Sequence, residues 1–230
     1  MERGLAASPE PSDEGREYLY ARGFTDALLT LLGAREWCPE GPPPAVFEFP
    51  NNKILQRCVG HLAFPMRSPA GTLTGVWFRA WREKEIRLVK VTGRESLPTG
   101  FNLPGALSAG WLGGAIWIVE GVFDLAALHW ALPPGDSVFA AGRAGMSPST
   151  RRALGRFARG PVIQAFDNDE AGHAVMFGTE KEGKVIPPLG TLLAREGVDA
   201  RVYPYKGKDP GEVWRLGGAR AIREEFGRWH

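Results

Sequence analysis

The sequence predicts an α/β protein in which a mostly parallel sheet flanked by helices follows a smaller α+β subdomain. Two patterns carry this reading. Beyond residue 113 short apolar runs alternate with helical stretches, AIWIVE, FDLAALHWAL, SVFAA, PSTRRALGRFA, PVIQAF, EAGHAVMFGTEKEG and DARVYPY, and strands alternating with helices call for a parallel sheet covered on both faces. Between residues 46 and 91 the pattern is instead one of short runs such as HLAFPM and TLTGVWFRAW, separated by SPAG. Pro69 and Gly71 there fit a hairpin turn in an antiparallel sheet.

Taken in order, residues 1–15 mix Pro, Ser, Glu and Gly around few apolar side chains, which predicts a mobile tail. The smaller subdomain is expected over 16–112. It opens with a helical pair, since Leu19, Phe24, Ala27, Leu28 and Leu31 recur at helical spacing, Gly23 interrupts, and Thr25 is placed to cap the second helix. GPPPA at 41–45 breaks the chain, and a Gly- and Pro-rich connection is expected over 98–114. The parallel unit spans 113–206, with Ser147 before Pro148 marking one of its helix starts. A helical extension, 207–230, follows.

With 43% hydrophobic residues among 230, the chain can bury a sizeable core. The net charge of +2, from 28 basic and 26 acidic side chains, requires any nucleic-acid affinity to come from a local cluster. Cys38 and Cys58 lack the spacing of a zinc finger and read as buried small hydrophobes, so no zinc is expected. No apolar run reaches the roughly 20 residues that cross a bilayer, so no membrane association is expected and a cytoplasmic location is the default.

Glu120 ends the run IWIV and is followed at once by Gly121, which places it at the carboxyl end of a buried strand, where ligands bind in open α/β sheets. Asp167 and Asp169 stand in the same relation to VIQAF, and the alternation of an extended backbone turns both to one side. Three acidic groups at one sheet edge repel one another unless a divalent cation neutralises them, and hard oxygen ligands favour Mg2+ or Mn2+. Phosphoryl or nucleotidyl transfer is the chemistry implied. The plainer alternative is that each carboxylate caps the helix after its strand.

These residues resemble the Toprim domain of bacterial DnaG-type primases, topoisomerases and related nucleases. VEGVFDLAAL is similar to the primase form of the first Toprim motif, and FDNDEAG to the second. The resemblance implies Glu120 as metal ligand or general acid/base, with Asp167 and Asp169 binding the catalytic metal and Asp124 lining the same pocket as a further metal-ligand candidate. YKGKDPGEVWRLGG resembles the primase stretch carrying a further carboxylate. Asp209 fits its first acidic position, while Gly211 stands where the family often has a second Asp. Upstream, LAFPMRSPAGTLTGVWFRAW and LVKVTGRESLPTGFNLPGA are similar to the primase segments before Toprim, and that matching marks Lys90 for phosphate contact. No counterpart of the family's zinc-binding or helicase-binding domains is expected, so a replicative helicase or a separate template-recognition protein is the implied partner.

Arg67, Arg79, Arg82, Lys84, Arg87, Lys90 and Arg94 interleave with Trp77, Phe78 and Trp81, a composition that fits a single-strand track. Glu83 and Glu85 among them fit a solvated strand face instead. Arg143, in a loop after a strand, and Lys206 and Lys208, beside Asp209, are further candidates for phosphate. His173, four residues after Asp169, is a weaker metal candidate than the carboxylates, and core packing accounts for Trp111, Trp117 and Trp130. The expected function is therefore a DNA primase-like nucleotidyltransferase using nucleoside triphosphates on a single-stranded DNA template. The alternatives are a Toprim nuclease, or a non-catalytic single-strand-binding accessory protein.

Overall fold

The computed structural model describes residues 1–38, 52–82, 87–92 and 97–229. The 41–45 break, Glu83, Lys84, Glu85 and Arg94 lie outside them. An antiparallel sheet in the order β1 (Arg35–Glu36), β2 (Leu62–Arg67), β3 (Leu73–Arg79), β4 (Leu88–Thr92) forms the first layer. β2 and β3 make the expected hairpin, pairing Leu62 with Arg79 and Arg67 with Leu73, and Gly71 turns it with φ at 80°. Alternate side chains feed two cores. Phe64, Met66 and Trp77 face the rest of the protein, and Ala63, Val76 and Phe78 face outward into a second apolar layer.

That outer layer overturns the mobile tail read into residues 1–15. Helix α1 (Glu2–Ala7) carries Met1 and Leu5 into contact with Trp37, Leu55, Cys58 and Phe78, and α2 (Asp13–Tyr20) begins at Ser12. The few apolar residues of the segment suffice because they cover an apolar sheet face that would otherwise meet water. Thr25 caps α3 (Asp26–Leu32) as expected, its hydroxyl accepting the Leu28 N–H at 3.2 Å. Cys58 is buried as anticipated, whereas Cys38 is exposed. Where the strand-like reading began, Asn52–Arg57 forms a helix, α4.

The second layer is a parallel sheet in the order β10 (Ala200–Val202), β7 (Val162–Gln164), β5 (Ile116–Val119), β6 (Ser137–Ala140). Helices α6 (Val122–Leu128), α7 (Pro148–Phe157), α8 (Glu170–Phe177), α9 (Leu189–Ala194) and α10 (Pro210–Phe226) connect and flank its strands. Ser147 caps α7, accepting from Thr150 N–H at 3.2 Å. Two expectations fail here. Within the 98–114 connection lies helix α5 (Leu103–Trp111), with Pro104 in its first turn. The helix expected through 183 stops at Phe177, where Gly178 takes φ 82° and a hairpin, β8 (Thr179–Lys181) with β9 (Lys184–Ile186), follows.

One apolar cluster joins both layers, from Leu19, Phe24 and Phe64 through Trp117 and Ala126 to Phe226 on α10. This shared core fixes the antiparallel sheet and α10 against the parallel sheet.

Candidate active site at the carboxyl edge of the parallel sheet

β5 and β7 are adjacent, and both point their carboxyl ends at the same edge. Glu120 follows β5 directly, its carbonyl accepting the Gly142 N–H at 2.9 Å. After β7 the Ala165 N–H bonds the Ile118 carbonyl at 2.9 Å, which keeps the chain beside β5 until Asp167. Asp169 then caps α8, one oxygen accepting the Gly172 N–H at 3.0 Å. Gly172 is required by packing: a Cβ there would lie 1.9 Å from the Asp167 carbonyl oxygen. The Asp-x-Asp-x-x-Gly spacing is thus a physical unit that presses the first turn of α8 onto the backbone of Asp167.

A second loop is bolted alongside. Asn168 donates its backbone N–H to the Lys208 carbonyl at 2.6 Å and its side-chain amide to the carbonyls of Tyr205 and Gly207 at 3.0 and 2.8 Å. Asp209 caps α10, accepting from Glu212 N–H at 2.6 Å. Asp124, buried on α6, accepts from Gly121 N–H at 3.0 Å with one oxygen and from Gly211 N–H at 3.1 Å with the other. Asp124 therefore ties the start of α10 to the start of α6. Of Glu120, Asp167 and Asp169, the capping alternative is realised for Asp169, and Asp209 caps its own helix likewise; in each the bond engages one carboxylate oxygen.

Burial and mutual repulsion dominate the electrostatics. Burial, followed by the charges of Glu120, Asp209 and Asp169, pushes the Asp167 carboxyl up to about 7. Burial, followed by Asp167 and Asp209, pushes Asp124 up to about 8. Glu120 is also raised, chiefly by burial, with the Lys90 ammonium pulling against that shift. Burial among the same aspartates holds the Tyr205 phenol protonated, and it donates to the Phe166 carbonyl at 2.9 Å.

A cleft of about 300 Å³ brings Glu120, Asp124, Asp167 and Asp209 together against a cationic wall of Arg22, Arg79, Lys90 and Arg215. Lys90 sits 4.2 Å from the centre of the Trp77 ring and donates to the Gly142 carbonyl at 3.1 Å. Trp77 and Lys90 are cross-strand partners, as are Arg79 and Leu88, so one face of the β3–β4 pair builds this wall. The Arg79 guanidinium lies 5.7 Å from the Phe123 ring centre, and its buried Nε has no hydrogen-bond partner among the described residues. Sequence reasoning missed Arg22 and Arg215. They flank the chain at opposite ends, and no local motif signals that α10 and the turn after α2 meet here.

Other expected residues fall elsewhere. Asp169 opens on a separate depression of about 1110 Å³ bordered by His173, Phe177 and β8, while its charge still reaches Glu120 and Asp167. Arg67 pairs with Glu2 at 2.9 Å and Arg82 pairs with Glu14. Phe78 is fully buried and Trp77 nearly so, hence neither offers the open face that the single-strand track required. Arg143, Lys206 and Lys208 are exposed and do not line the cleft, although the charge of Lys208 reaches Glu120 and Asp167. Trp111, read as core, is 54% exposed.

Among the described residues no three His, Cys, Asp or Glu side chains stand as a ready-made cage for one metal ion. Two observations nevertheless fit a hard divalent cation. Asp167 Oδ1 is buried with no hydrogen-bond partner among the described residues, and the surrounding donors are carboxylates whose charges oppose one another.

No family model matches the chain, and no curated protein does. Solved structures do match, and they give the fold. The RNA polymerase domain of Mycobacterium tuberculosis primase DnaG is 22% identical with a TM-score of 0.61, over 94% of this chain and 77% of that one. The zinc-binding and RNA polymerase domains of Aquifex aeolicus primase give 19% and 0.64, over 93% of this chain and 56% of that one. The E. coli primase catalytic core gives 16% and 0.57, over 93% and 73%. This chain thus has the fold of DnaG-type primase catalytic cores, and it spans little more than half of the Aquifex structure.

Proposed function

We propose that this protein is a primase-like nucleotidyltransferase that joins nucleoside triphosphates into short primers on single-stranded DNA with Mg2+ or Mn2+. The observation that carries the reading is one cleft with a buried carboxylate cluster on one side and four cationic side chains on the other. That polarity fits a metal-bound triphosphate, with anionic phosphates facing Arg22, Arg79, Lys90 and Arg215. The likeness to DnaG-type cores supports it, one of which is a DnaG catalytic domain solved bound to single-stranded DNA.

Glu120, Asp167 and Asp209 would hold the cation, with Asp169 at the rim. When bound, the cation lowers the pKa of an attacking hydroxyl and offsets charge on the leaving group. The chain's own contribution is positional. Asp124 fixes the starts of α6 and α10, Gly172 lets α8 close on Asp167, and Lys90 holds its charge beside Glu120. Glu120, whose proton affinity burial raises while the cation is absent, would lose that proton to ligate it.

Incubation with four triphosphates on mixed single-stranded templates tests this, with short products expected from the wild type and none from Glu120→Gln. Cleavage of labelled DNA without triphosphates, and no synthesis, would assign the site to a nuclease. One feature favours a non-catalytic binding role: the oxygens of Asp124 already accept backbone N–H groups, and Gly211 supplies no further carboxylate. Single-strand binding indifferent to Mg2+ and to Asp167→Asn would establish that role.

A further inference from the structure

We infer that the outer face of α5, with the end of α7, is a second docking platform for single-stranded nucleic acid, remote from the carboxylate cleft. Pro104, Leu107, Ser108 and Trp111 follow one another at the i, i+3, i+4, i+7 spacing of a helix face. With Pro69 and Phe157 they line a groove of about 310 Å³. Trp111 is 54% exposed and Leu112 83% exposed, so the end of this stripe faces water.

The charge around the groove identifies its occupant. Arg152 and Arg156 on α7 and Arg159 just after it are all exposed. The Arg159 guanidinium lies 4.5 Å from the Trp111 ring centre, and that of Arg156 lies 5.6 Å from the Phe157 ring centre. Arg152, exposed one helical turn before Arg156, extends the same row. Glu196 packs by its backbone and Cβ against Gly155, on the flank of α7 towards α9, and Arg195 precedes it. An exposed indole beside a row of guanidiniums matches the demands of an unpaired strand, whose bases stack on rings while its phosphates take the cations.

Topology separates this platform from the cleft. Trp111 precedes the first residue of β5, whereas Glu120 follows the last, so the two sites occupy opposite ends of that strand. A strand bound at both would be held along the flank of the molecule. The inference rests on the reading that this protein acts on single-stranded DNA, but its test is separable from that reading.

The probes are fluorescein-labelled oligothymidylates of graded length, followed by anisotropy against the wild type, Trp111→Ala, the double variant Arg156→Gln/Arg159→Gln, and Asp167→Asn. Trp111→Ala is expected to weaken binding of the longer oligomers about tenfold. The double variant is expected to lower the salt slope of log K by about 0.7 for each phosphate it no longer neutralises. The melting curve of the double variant should match the wild type, as its arginines are exposed, and because Trp111→Ala also removes the ring packing on Phe157, its binding loss is read only at temperatures where its melting curve shows it fully folded. Asp167→Asn should keep the Trp111-dependent binding while losing synthesis, so an inactive wild type that still binds through Trp111 would sink the enzymatic reading alone. Unchanged affinity and salt slope in both platform variants would overturn the inference. So would displacement of the oligomer by poly-L-glutamate as readily as by unlabelled oligothymidylate, which would mark the face as a dock for acidic protein.

Discussion

Replacing Asp167 with Asn should stabilise the protein in the absence of divalent cations, and should do so only above mildly acidic pH. The folded chain raises this carboxyl from 3.8 to about 7, through burial first and then Glu120, Asp209 and Asp169. About three pKa units correspond to about 4 kcal/mol for ionising the group in the folded state, and solvent access to the cleft reduces this to about 2–3 kcal/mol. The folded carboxyl has the higher pKa, so its stabilising contribution is complete below the unfolded value near 4 and lost as pH rises through 7. Asn carries no charge at any pH and escapes that loss. For a chain of this size the difference is a melting temperature higher by about 5–10 °C at pH 8. The assay is thermal unfolding in EDTA at pH 4, 6 and 8, with the gap between variant and wild type opening as pH rises. A variant that melts at or below the wild type at pH 8, or a gap that does not depend on pH, would refute the picture of Asp167 as a buried, repelled carboxylate.

Other substitutions probe the supports of the site. Asp124→Ala leaves the N–H groups of Gly121 and Gly211 without their acceptor, so urea unfolding at pH 6 should show a loss of about 2–4 kcal/mol. In Gly172→Ala the new methyl meets the Asp167 carbonyl, and we expect about 1–3 kcal/mol of destabilisation in the same assay together with reduced synthesis. Lys90→Met removes the cation that draws the Glu120 pKa down. Glu120 would then ionise at higher pH, and the acid limb of the pH–rate profile should move upward. A profile that stays in place would detach Lys90 from the function of Glu120.

The carboxylates were legible because an apolar run ending in Glu-Gly or Asp-x-Asp fixes a strand tip before a helix, and the structure puts Glu120 and Asp167 on neighbouring strands. Thr25 and Ser147 were legible as caps for the same local reason. Composition misled where glycine served packing and not chain breaking. Gly110 lies inside α5 because a Cβ there would come within 2.4 Å of Ile116 Cδ1, so the Gly- and Pro-rich stretch conceals a helix. The opposite error arose at 178–186, where Glu and Lys favour helix but Gly178 and Gly183 take positive φ and turn a hairpin. The cationic wall was only half visible. Arg79 and Lys90 share a strand pair whose alternation can be read locally, whereas Arg22 and Arg215 reach the cleft through tertiary packing alone.

The central claim is that carboxylates from separate strand tips share a divalent cation. Electron paramagnetic resonance of free Mn2+ titrated with the protein measures this directly. Depletion of the free-ion signal by the wild type, and its loss in Glu120→Gln/Asp167→Asn, is the predicted result. Equal depletion by wild type and double variant, or none by the wild type, would contradict it.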